Sequence, residues 1–207
     1  MGASAETVSE LYASVIRSAG CEDRRKATVG QLVQLGVEIA REGREGRKIG
    51  TLFVVGDSEA LLARSRPLLL DPLYGHPREV LQVDRPELRE SIKELAQLDG
   101  AFIVDDDGTF VSAGRFVDVD LAEANFVPGL GTRHAAAASI TRAGDAVAVV
   151  VSQSSVVRVY AGGEVRAEII PELFLLSRER LLTKKAAVHQ VPEAGVTLAV
   201  SEPEAAA

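Results

Sequence analysis

The chain has 207 residues, 46% of them hydrophobic, which suits one domain with a sizeable buried core. A formal net charge of −7 argues against a general nucleic-acid binder, whose affinity rests on neutralised phosphates. No apolar run reaches the roughly 18 residues of a membrane span, the start MGASAE lacks the apolar stretch of a signal peptide, and the single Cys21 cannot form an internal disulfide, so the expectation is a cytoplasmic protein with no membrane association.

Two helices are predicted first. Val8, Leu11, Tyr12, Val15 and Ile16 share one helical face, with Thr7 and Glu10 as a capping box. Val29, Leu32, Val33, Gly36, Val37 and Ala40 form the second stripe, with Thr28 as its N-cap. The charged runs CEDRRK and REGREGRK read as solvated connectors. This helical segment is taken as residues 1–46. From Ile49 the pattern changes: IGTLFVVG is a short apolar run closed by Gly56 and Asp57, as in a buried strand. LLARSRPLLLDPLYGHP is broken by prolines and reads as loop. Asp84 as N-cap, Pro86 and Glu87 open a helix that should end near Leu98.

Strands follow. AFIV and TFVSA flank DDDG, a hairpin turn; AVAVVV has buried-strand length; VVRVYA and EVRAEII flank Gly162-Gly163, a second hairpin. ELFLLSRERLL reads as a late helix, and SEPEAAA as a mobile tail over 201–207. The alternation gives an α/β fold with a mixed central sheet flanked by helices, its main domain spanning 47–200.

Two stretches carry chemistry. In PGLGTRHAAAASI, Gly129 and Gly131 lead into an alanine-rich helix. Glycine permits positive φ and close approach of backbone to a ligand, and the free N–H groups of a helix start favour an anion. Thr132 can cap the helix or bond a phosphate oxygen, Arg133 offers a planar fork of donors, and His134 can bond phosphate or ligate a metal. A plain capped helix with surface Arg and His is the competing reading. In LDGAFIV, Asp99 falls between a helix end and a buried strand, with Gly100 and Ala101 after it. A carboxylate there can hold a divalent metal or accept a proton; an aspartate in an ordinary turn is the alternative. Asp105, Asp106 and Asp107 read as a solvated turn, since the later glutamate of a calcium loop is missing. His76 and His189 lack ligand spacing. The P-loop, dinucleotide-fold and nucleophile-elbow patterns are not found.

Asp99-Gly100-Ala101, followed some thirty residues on by Gly131-Thr132-Arg133-His134, resembles the diadenylate cyclase domain family with its DGA and GTRHR motifs. RKIGTLFVVGD is similar to that family's first core strand and VSQSSVVRVY to the strand pair after the motif helix. The order of elements is most similar to the compact archaeal branch. The resemblance implies condensation of two ATP into cyclic di-AMP with release of two pyrophosphates, a divalent metal (Mn or Mg), and a homodimer or larger homo-oligomer. It implies that Asp99 holds metal and draws the 3′-hydroxyl proton, with His134 a second candidate ligand. Gly100 and Ala101 would pack the nucleotide; Gly131, Thr132, Arg133 and His134 would grip the triphosphate; Ser152 and Gln153 would touch adenine or phosphate. Two positions depart from the family pattern. Ala135 stands where a second arginine is usual, with Arg115 or Arg142 as substitutes, and Gln153 stands where some relatives have a metal-holding glutamate. A module that binds ATP or cyclic di-AMP without turnover, and an interaction protein with accidental motifs, remain the alternatives.

Overall fold

The computed structural model describes residues 16, 19–20, 23–119 and 130–171, and the backbone alone of 186–191 and 196–201. Five residues with almost no exposed surface, β1 (Thr51–Val55), form the centre of the molecule. This strand pairs in parallel with β3 (Ala101–Val104), Phe53 beside Phe102. On its other side it runs antiparallel to β5 (Val147–Val151), Phe53 beside Val149. Apart from Thr51, all three are apolar along their length because both faces of the sheet are covered. With β2 (Ser65–Pro67), β4 (Phe110–Val117), β6 (Val157–Ala161) and β7 (Glu164–Ile169) they make a mixed seven-stranded sheet. Its order is β2-β4-β3-β1-β5-β6-β7. Both predicted hairpins form, β3–β4 and β6–β7, with Gly108, Gly162 and Gly163 at positive φ.

Side chains alternate between the two faces. Phe53, Val55, Phe102, Val149 and Val151 pack beneath α1 (Asp23–Glu42), against Val29, Leu32 and Val33. Phe53, Phe102 and Phe110 form an aromatic cluster on this face, with ring centroids 5.2–6.2 Å apart. Lys93 on α3 (Pro86–Leu95) ties that helix to α1 through Glu38 and Glu42. On the opposite face, Leu52, Val54, Ile103, Ala148 and Val150 meet Ala137, Ala138 and Ile140 of α4 (Thr132–Arg142), with Leu61 of α2 (Ser58–Ala63). Small alanines let α4 lie close to the sheet.

Several boundaries differ from the sequence reading. The second predicted helix begins at Asp23, so Thr28 lies inside it and donates to the Asp106 carbonyl instead of capping. Most of the run CEDRRK is therefore helix, and Arg25 is 1% exposed. The cause is pairing across the chain. Its Nε donates to Asp106 at 2.7 Å and its Nη1 to the Asp145 carbonyl at 2.6 Å. The DDDG turn is accordingly not wholly solvated. The N-cap of α3 is Arg85, with Pro86 at the first position, and α3 ends at Leu95. The proline-broken stretch contains the end of α2 and the edge strand β2. A two-stranded hairpin, β8 (Ala186–Val191) with β9 (Val196–Ser201), was not foreseen. The helices expected around Leu11 and Leu175 fall outside the described residues. Among the described residues no helix is long and apolar enough to cross a membrane.

Candidate active site

The two motif stretches meet in one cleft of about 590 Å³ on the α4 face of the sheet. One wall is Asp99, Gly100 and Ala101 at the start of β3. The other is Thr132, Arg133, Ala135 and Ala136 on the first turns of α4. Leu52 forms the floor from β1, and Arg115, Phe116 and Val117 of β4 close the far side.

The helix end at the cleft is built to take an anion. Gly131 is the N-cap and supplies no side-chain oxygen, and the first turn of α4 carries no acid. The positive end of the helix is thus left uncompensated by its own residues. Gly131 has φ −78°, which any residue adopts, and nothing lies within 4 Å of where its Cβ would be. The expected need for positive φ is not met there; its glycine leaves room instead.

Gly100 differs. At φ +99°, an added Cβ would fall 2.6 Å from the Gly114 carbonyl carbon, so this glycine serves the close approach of β3 and β4. It lines the cleft as well, as does Ala101, the other residue expected to pack the nucleotide.

Asp99 is 93% exposed, and its Oδ1 lies 3.7 Å from Nη2 of half-buried Arg133. So loose and exposed a pair holds little energy, and either partner can turn to a ligand. Arg133 lies over Gly50, where a Cβ would stand 3.1 Å from its Nη1 and 3.3 Å from Gln153 Cγ. Gln153 is therefore beside Arg133, though neither it nor Ser152 lines the cleft. Ser152 closes the turn into β6, accepting from the Ser154 amide at 3.2 Å.

His134 is placed otherwise than Arg133. It is 7% exposed and absent from the cleft lining. Its Nδ1 is 2.9 Å from the Tyr160 hydroxyl. Burial, followed by the positive charge of Arg158, lowers its pKa to about 4, so the ring is neutral near pH 7. Of the two expected ligands, Asp99 lines the cleft and His134 does not. Among the described residues no group of three or more His, Cys, Asp or Glu is placed to hold a metal. One cleft carboxylate still suits Mg²⁺ or Mn²⁺, which keep waters and take much of their coordination from substrate phosphates.

Neither proposed substitute for the missing second arginine is simply available. Arg115 lines the cleft, but its Nε and Nη2 donate to Ser65 Oγ and to the Leu62 and Ser65 carbonyls. Arg142 is in the last turn of α4, against Gly163. Sequence reasoning missed Gly50, Phe116 and Tyr160. A glycine directly before a buried strand was the signal for Gly50; the other two depend on strand register.

Comparison with known proteins decides the family. The model described as DisA bacterial checkpoint controller nucleotide-binding, DAC, matches residues 38–165, more than half of the chain.

The chain belongs to the diadenylate cyclase (DAC) domain family.

The matched DAC region contains every cleft residue described above. Curated relatives include a diadenylate cyclase of Methanocaldococcus jannaschii, 42% identical over 156 residues, which are 75% of this chain and 49% of that protein. A diadenylate cyclase of Haloferax volcanii is 35% identical over 147 residues, 70% of this chain and 54% of that protein. The chain spans about half the length of these relatives. The crystal structure of a hypothetical membrane spanning protein from Bacillus cereus shares the fold, with TM-score 0.51 and 22% identity over 67% of this chain and 61% of that one.

Proposed function

We propose that this DAC domain condenses two ATP molecules into cyclic di-AMP, releasing two pyrophosphates. The observation that carries the reading is the single cleft joining Asp99-Gly100-Ala101 to Thr132-Arg133 at an uncapped helix start. The apolar side chains of Leu52, Ala101, Phe116 and Val117 offer a slot for a base and ribose. Arg133 and the helix N-terminus receive the triphosphate.

In each half-reaction the 3′-hydroxyl oxygen of one ATP forms a bond to the α-phosphorus of the other. The bond from that phosphorus to the β-phosphate bridging oxygen breaks, and pyrophosphate leaves. Asp99, exposed at the mouth, accepts the hydroxyl proton. Arg133 and the amides of the first turn of α4 offset negative charge that grows on the α-phosphoryl and the leaving group. A divalent cation, Mg²⁺ or Mn²⁺, held by Asp99 and the phosphates, supplies further charge neutralisation when bound.

Among the described residues one such cleft is found, and the product is two-fold symmetric. Two subunits with opposed clefts are the simplest arrangement that makes both links. The reading places the protein in the cytoplasm, with its ATP supply. Incubation of the purified chain with ATP and Mn²⁺ tests the proposal. Cyclic di-AMP and pyrophosphate are expected; ATP bound but unchanged would favour a binding module, and no ATP binding would favour neither.

A further inference from the structure

Tyr160 is a phenol between Val159 and Ala161 on β6, 3% exposed. A hydroxyl so buried is costly unless paired. Its partner is Nδ1 of His134 at 2.9 Å, with the ring centroids 5.9 Å apart. The contact joins the first turn of α4, beside Arg133, to a strand on the far side of β5. No step of the proposed reaction uses it.

Chemistry sets the direction of this bond. A phenol is the stronger acid and an imidazole nitrogen the stronger base, so O–H···N is favoured over the reverse. The charged groups around the ring are Arg158 on β6, Glu168 on β7 and Arg133 on α4. Burial and the two arginines keep the imidazole neutral, against the opposing effect of Glu168. A neutral imidazole whose Nδ1 accepts must carry its hydrogen on Nε2.

We propose that Tyr160 is a positioning residue: by donating to Nδ1 it holds His134 as the Nε2–H tautomer, which fixes a neutral ring at the start of α4 and leaves it no free lone pair for a metal. In this form neither ring nitrogen has a lone pair to offer a cation. Nδ1 is engaged and Nε2 is protonated. Held in this form, His134 ties the first turn of α4, which carries Arg133 to the phosphates, to β6. The effect on the phosphates rests on the ATP reading; the tautomer does not.

Long-range ¹H–¹⁵N NMR of the full chain labelled at histidine, without nucleotide, reads the tautomer directly. His134 is identified by the signals lost in His134→Gln. The Nε2–H form is expected at neutral pH; an Nδ1–H or doubly protonated ring would overturn the proposal. In Tyr160→Phe the His134 signals should shift toward exchange between tautomers while circular dichroism is unchanged. In the same variant kcat/KM for ATP should fall about three- to tenfold, the worth of one hydrogen bond. An unaltered tautomer in Tyr160→Phe would overturn the positioning role even if stability fell. Should that variant not fold, the wild-type spectrum alone decides. If the wild type makes no cyclic di-AMP yet shows the Nε2–H form and Tyr160→Phe loses it, the enzymatic reading fails and this inference stands.

Discussion

At the scale of single residues, charge and burial separate Asp99 from His134. Asp99 is solvated at the cleft mouth, so exchanging it for asparagine removes charge and basicity with almost no change of shape. Asp99→Asn should keep its melting temperature and most ATP affinity while turnover falls by about two orders of magnitude or more. Binding calorimetry and product formation on one sample check both halves. His134 is the opposite case. Its folded pKa of about 4 lies below the ordinary 6.5. Between these values the unfolded chain takes up a proton that the folded chain refuses. The stability it contributes is therefore complete above about pH 6.5 and lost as pH falls toward 4, on the order of 3 kcal/mol. Melting curves from pH 7 to 4 should drop more steeply for wild type than for His134→Gln. Parallel curves would show that His134 is not held neutral by the fold.

At the scale of elements, the buried ion pair of α1 is the sharpest case. Arg25 bonds two turns distant in sequence, at Asp106 and Asp145. Arg25→Ala leaves Asp106, only 13% exposed, with Arg24 at 3.1 Å as its remaining ion-pair partner, and should cost about 1.5–3 kcal/mol in urea unfolding. Arg78 pairs with Asp105 and Asp107 at the surface, and Arg78→Ala should cost about 0–1 kcal/mol. Equal losses would contradict the role given to burial. This contrast also shows what could be read from the chain. Thr51–Val55, Val147–Val151 and the two hairpins were legible because apolar runs and glycine turns are local signals. The start of α1 was not, because Arg25 becomes helical and buried only through acids about 80 and 120 residues away. The site divides in the same way. Asp99, Arg133 and their glycines stand out as short words, while the pairing of His134 with Tyr160 depends on where α4 settles on β6.

At the scale of the whole molecule, the proposed two-fold product and the one motif-bearing cleft among the described residues lead the reading to two chains working together. Specific activity should rise with protein concentration until the dimer saturates, followed alongside sedimentation. Mixing Asp99→Asn chains into wild type should depress cyclic product more than dilution does, since a mixed pair closes at most one link. Activity that tracks wild-type chain number alone, from a chain that sediments as a monomer, would contradict the opposed arrangement. The most direct test of the central claim is the mass balance of the reaction. Purified chain with ATP and Mn²⁺ is followed by mass spectrometry together with a pyrophosphate assay. The account predicts cyclic di-AMP with two pyrophosphates for each molecule formed. Pyrophosphate without the cyclic product, or ATP recovered intact from saturated protein, would contradict it.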